Sequence, residues 1–170
     1  FDEDGKAYLY FVRFTNGNVI WCAELKDNLK EIKEETLTQC IEAVEPWEMV
    51  FGKVAEGPSI LKRDGLYYLL YSANDFRSQD YAVGYATSDS PFGPWKKNSK
   101  NPLLHRVDEL VGTGHGAPFA DKDGNLRYIF HAHKSQTEVN QRNSYIVDMS
   151  LSGKDQVSIG GGLIRPAVVK

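Results

Sequence analysis

Three stretches of the chain repeat one arrangement of polar and apolar positions. A short acidic turn closed by glycine is followed each time by a run of aromatic, β-branched and aliphatic residues: Asp2–Gly5 before Ala7–Tyr10, Lys62–Gly65 before Leu66–Tyr71, and Asp121–Gly124 before Leu126–Phe130. Gly5, Gly65 and Gly124 lie 60 and 59 residues apart. Asp-Gly supplies the positive φ that tight hairpins require, and the runs beside it are strand-like, so each copy predicts strand, tight turn, strand. Asn16-Gly17 predicts a further hairpin between Ala7–Phe14 and Val19–Leu25, and Tyr81–Thr87 reads as another strand. Leu29–Ala43 is rich in Glu and Lys, yet Thr36, Thr38 and Ile41 suit an outer strand, so this stretch is read as an outer strand and a long loop.

About four strands recurring at a fixed long period predict an all-β chain built from propeller blades, each burying its faces against its neighbours. A single β-sandwich with unrelated turns is the competing architecture. No Pro-rich linker or low-complexity tract divides the chain, so residues 1–170 are taken as one domain segment.

Composition narrows the classes of partner. With 41% hydrophobic residues the chain can bury a core, and a net charge of -3 supplies no basic field for nucleic acid or an anionic membrane. A neutral or weakly charged ligand fits better. Cys22 and Cys40 allow at most one bridge and match no zinc or redox spacing, so they are read as buried or spare thiols. The opening Phe1–Gly5 has neither a basic start nor an apolar stretch, and it lacks an initiator Met, which predicts that upstream sequence is missing.

In a propeller the first strand of each blade lines a shared central channel, so chemistry is sought there. Counting nine residues back from the turn glycines gives Glu56 from Gly65 and His115 from Gly124. Glu56 stands between Ala55 and Gly57-Pro58 with no Lys or Arg within two residues. Burial there is expected to raise its pKa, as a general acid working near neutrality requires; the alternative is a strand Glu that meets a distant Lys or solvent. His115, set among Gly112, Gly114 and Gly116, either holds a metal or a water or is a hydrogen-bonded structural residue. His131 and His133 alternate on one strand and permit a metal pair, or are ordinary strand surface. Trp47, in the polar loop Glu45–Glu48, is either a stacking platform for a sugar or a residue folded back on the core. Asp121–Asn125 begins like a calcium loop, but Leu126 falls where an EF-hand needs glycine.

Three motifs in order carry a family resemblance over nearly the whole chain. Val54–Pro58 followed by Asp64–Leu69, the stretch Gly84–Trp95, and Gly114–Pro118 together resemble glycoside hydrolase family 43, the β-xylosidases, α-L-arabinofuranosidases, arabinanases and xylanase-like enzymes. The resemblance implies a five-bladed propeller, of which this chain supplies a little under three blades with the N-terminal ones missing. It implies hydrolysis of xylan, arabinoxylan or arabinan by an inverting mechanism in which Glu56 is the general acid. The general base and a second aspartate that orients the acid would precede Phe1, so the segment alone is expected to be inactive. No cofactor is required for the chemistry, although the resemblance implies that His115 contributes to a structural calcium site in the channel. The expected partner is an oligo- or polysaccharide, with no nucleic acid and no membrane, and that substrate class favours a secreted or periplasmic setting. A non-catalytic sugar-binding propeller is the rival reading. A protein-interaction propeller ranks last, because the repeats lack paired Gly-His and Trp-Asp signatures.

Overall fold

In the computed structural model, which describes residues 1–167, the apolar runs become the strands of three antiparallel sheets. The first holds β1 (Tyr8–Phe14), β2 (Asn18–Glu24) and β3 (Thr38–Ile41). The second holds β4 (Ala55–Arg63), β5 (Leu66–Ala73), β6 (Ala82–Ser88) and β7 (Lys96–Lys97). The third holds β8 (Gly114–Ala120), β9 (Leu126–Ala132), β10 (Asn143–Leu151) and β11 (Val157–Ile159). Within each sheet the strands lie side by side in chain order, the up-and-down arrangement of a propeller blade. The expected outer strand in the Glu- and Lys-rich stretch is β3, reached through a loop with a 3-10 turn at Glu34–Thr36.

Local chemistry sets the turns. Between β4 and β5, Asp64 and Gly65 both take positive φ, 52° and 78°, the conformation that matches a two-residue hairpin to the twist of its strands. Between β1 and β2, Gly17 has φ 80°, and a Cβ there would stand 2.0 Å from the carbonyl oxygen of Lys53. That close approach lets Asn18 N–H donate to Lys53 O at 3.1 Å, which ties the first hairpin to the segment leading into β4.

The core lies between the sheets. Every residue of β5 is buried, because alternate side chains face opposite neighbours. Tyr68 and Leu70 pack with Tyr128, Phe130, Tyr145 and Val147 of the third sheet. Leu69, Tyr71 and Ala73 pack with Ile20 and Ile41 of the first. A strand covered on both faces reads as a continuous apolar run rather than an alternating one, which is the pattern of Leu66–Tyr71.

One polar group is built into this core. The Glu48 carboxylate is fully buried and accepts hydrogen bonds from Tyr71 O–H at 2.6 Å, Lys97 Nζ at 2.6 Å, and the N–H groups of Val44 and Glu45 at 2.7 and 2.8 Å. Four donors, one of them cationic, offset the desolvation of the charge, and they fix the loop before β4. Cys22 is buried and Cys40 half-buried, both as free thiols. Among the described residues no helix is long and apolar enough to cross a membrane.

Candidate active site

The first strands of the second and third sheets, β4 and β8, lie against each other, and both slip register at matching places. On β4 the pairing moves from Glu56 opposite Ser72 to Ser59 opposite Leu70; on β8 it moves from Gly114 opposite His131 to Ala117 opposite Ile129. Such bulges re-aim side chains out of the regular pleat. Gly57 takes φ 58° in one bulge and His115 takes φ 49° in the other, a costly conformation for a residue with a Cβ.

The two bulges turn Glu56 and His115 towards each other, with His115 Nδ1 3.8 Å from Glu56 Oε1. A Cβ on Gly57 would stand 3.3 Å from the imidazole, so His115 lies over bare backbone. His115 N–H donates to Ser72 Oγ at 2.8 Å. Both side chains sit at the ends of their strands remote from the Asp-Gly turns, level with the long loops at residues 42–54, 74–81 and 133–142.

Two further residues complete the carboxyl's surroundings, and sequence reasoning missed both. Tyr81 O–H donates to Glu56 Oε1 at 2.8 Å and lies 3.2 Å from His115 Nδ1. Asn18 Nδ2 donates to Glu56 Oε2 at 3.1 Å from the first sheet. Neither carries a local motif; the one sequence signal is Gly114, where a Cβ would stand 2.4 Å from the Tyr81 ring.

These contacts correct one expectation. Burial does push the Glu56 carboxyl up, but the His115 imidazole 3.8 Å away and the hydrogen bonds from Tyr81 and Asn18 outweigh it. The net shift is below the ordinary carboxylate value, the reverse of the rise expected from burial alone.

His131 stacks on Tyr81 at 5.5 Å and on His115 at 6.3 Å between ring centroids. Its Nε2 faces Arg142 Nη1 at 3.2 Å. Burial, then the Arg142 charge, hold its pKa down to about 4, so it is neutral at neutral pH and accepts from Arg142. His133 is buried, and its ring bonds to the Phe76 carbonyl at 2.8 Å. The two histidines therefore have separate partners.

Trp47 is not brought to this group. It is half-buried in the core between the first two sheets, against Tyr71 at 6.0 Å and against Gly84, where a Cβ would stand 2.9 Å from the indole. Arg165 pairs with Glu109 on the surface. Among the described residues no three His, Cys, Asp or Glu side chains gather as a metal site. Calcium takes six to eight oxygen ligands, so the imidazole of His115 and the single carboxylate of Glu56 beside it do not by themselves fit that ion.

A family model described as glycosyl hydrolases family 43 matches residues 1–154. An endo-1,4-β-xylanase of Bacteroides thetaiotaomicron VPI-5482 superimposes with a TM-score of 0.96 at 59% identity, covering 99% of this chain and 59% of that one. The β-D-galactofuranosidase xynD of Aspergillus niger is 29% identical over 130 residues, 76% of this chain and 34% of that protein. A xylosidase/arabinosidase of Butyrivibrio fibrisolvens is 27% identical over 139 residues, 78% of this chain and 27% of its own length. The chain thus spans about a quarter to a third of the length of these curated relatives.

Proposed function

The chain belongs to glycosyl hydrolases family 43, and from that premise we propose that it is the part of an inverting glycoside hydrolase that supplies the general acid, Glu56, for cleavage of xylan- or arabinan-type polysaccharide. The observation that carries the proposal is the placement of Glu56: a half-buried carboxyl, aimed by a bulge out of the first strand of its sheet and held by Tyr81, Asn18 and His115. The relatives' activities differ in the sugar they name and share hydrolysis of a glycosidic bond.

In this reading the Glu56 carboxylic acid donates its proton to the glycosidic oxygen as the bond to the anomeric carbon breaks, while a carboxylate on the opposite face of the sugar activates water. Oε1 is occupied by Tyr81 and Oε2 by Asn18, so the carboxyl is oriented before substrate arrives. A general acid must hold its proton at working pH, and the neighbours described favour the ionised form. The proposal therefore requires a second carboxylate beside Glu56 in the assembled channel, whose like charge restores the proton. That group, the general base, and any oxygen ligands for calcium would come from outside the described residues, and the segment alone would not turn over substrate. A five-bladed whole accommodates them: at about 60 residues per blade it needs ~300 residues.

The test is Glu56→Gln in the full-length protein, with sugar release from arabinoxylan and arabinan as the readout. Release should be abolished on both polymers. Activity equal to that of the unsubstituted protein on either would remove Glu56 from the mechanism.

A further inference from the structure

A line of contacting aromatic and guanidinium groups leads away from the candidate site along the same rim of the molecule. His115 stacks on His131, whose Nε2 faces Arg142. The Arg142 guanidinium lies 4.7 Å from the centre of the Phe76 ring. Phe76 is followed by Arg77, which lies 5.4 Å from the centre of the Phe51 ring. Phe51 is 60% exposed, although one face of its ring lies under Arg77.

The exposure of Phe51 is imposed by the loops that hold it. Asn74 is fully buried, and its Oδ1 accepts from Val50 N–H at 2.7 Å while its Nδ2 donates to the carbonyls of Trp47 and Asp80. One side chain thus ties the loop before β4 to the loop after β5. His133 anchors the second loop from the third sheet through the Phe76 carbonyl. Asp75 grips Arg77 at Nε and Nη2, at 2.8 and 2.7 Å, which fixes the guanidinium over the ring and compensates its charge. A loop pinned at so many points cannot fold its aromatic tip inward, and a rigid exposed aromatic is a feature of binding surfaces.

We propose that the Phe51–Arg77 pair is a remote subsite for a neutral saccharide chain that continues out of the candidate site along this rim. The proposal rests on the glycosidase reading above and extends it to substrate length. The C–H face of a sugar ring would cover the open face of Phe51, and the donors of Arg77 and Arg142 left free by Asp75 and His131 would meet ring hydroxyls. At Arg77, beside the Phe51 ring, charge compensation by Asp75 suits a neutral ligand. Phe51 is five residues from Glu56, which bounds their separation at about 17 Å of extended chain, while the contacts from His115 to Phe51 run through His131, Arg142, Phe76 and Arg77. The subsite therefore serves a unit a few rings along from the cleaved bond, beyond the reach of a dimer.

The experiment is calorimetric titration of the full-length protein carrying Glu56→Gln, with and without Phe51→Ala or Phe51→Trp. The ligands are the dimer and the hexamer of linear β-1,4-xylose and of linear α-1,5-arabinose. Removing Phe51 should weaken binding of a hexamer about tenfold, about 1.4 kcal/mol, and leave the dimer unchanged, while Phe51→Trp should keep the tighter hexamer binding. Phe51 is exposed, so the alanine variant should unfold at the unsubstituted temperature. Equal weakening of dimer and hexamer, no weakening in either series, or failure of the tryptophan variant to hold the hexamer would overturn the subsite. Binding is read here without turnover, so that failure would leave the role of Glu56 standing, whereas turnover by the Glu56→Gln protein would refute the role of Glu56 alone.

Discussion

Asp2 illustrates how much a single carboxylate can depend on its neighbours. Lys62 Nζ lies 2.6 Å from Oδ1, and Tyr67 O–H donates to Oδ2. Those two hydrogen bonds lower its pKa from 3.8 to about 2. A depressed carboxyl contributes stability above its unfolded value and loses it as pH falls through the folded value. The contribution should therefore be complete above about pH 4 and fade between 4 and 2. In urea unfolding followed against pH, Asp2→Asn should lower stability at neutral pH and flatten the acid slope in that window; an unchanged slope would mean that Asp2 is not held as described. Glu56 was legible at this scale because an acidic residue beside Gly-Pro, at a fixed count from a turn glycine, leaves a mark in the sequence. Tyr81 and Asn18 leave none: each reaches the carboxyl through tertiary packing, from 25 and 38 residues away. For Trp47 the sequence leaves a sugar platform and a core residue both open, since a loop address says nothing of the pocket beside Gly84 that takes the indole.

At the scale of strands and turns, the hairpin glycines do more than reverse the chain. Gly17 combines a φ of 80° with a backbone oxygen 2.0 Å from where a Cβ would lie, so alanine there meets both a left-handed backbone and a neighbouring carbonyl. Gly17→Ala should cost at least about 2 kcal/mol in urea unfolding. Because the displaced segment is the one that delivers Glu56, activity of the full-length protein should fall with it. Loss below about 0.5 kcal/mol, the range of a neutral surface change, would show that the first hairpin is not clamped to Lys53. The turns and the continuous run of β5 were readable because φ preference and two-sided burial act on local sequence. The two-residue β7 and the matching bulges were not, because register slips answer to the neighbouring strand. The bulges are also what turn Glu56 and His115 together, so the step from two marked residues to one site needed the structure.

Across the whole molecule, the Asp-Gly turns occupy one end of the β4–β5 and β8–β9 strand pairs, and Glu56, His115 and the long loops occupy the other. This polarity separates work: short turns fix the sheets, while loops of freer length surround the chemistry. The repeat period disclosed three sheets in chain order; their mutual packing follows from β5, which has apolar side chains for both neighbours. A carboxylic acid at Glu56 that protonates the leaving group makes the rate depend on how much that group needs the proton. In the full-length protein, hydrolysis of alkyl glycosides and of 2,4-dinitrophenyl glycosides of the same sugar should be compared before and after Glu56→Gln. Alkyl leaving groups need the proton and should lose roughly 10²- to 10⁴-fold in kcat/KM, while the dinitrophenyl substrates, which depart without it, should lose far less. An equal loss on both substrates, or no loss on the alkyl glycosides, would contradict the assignment.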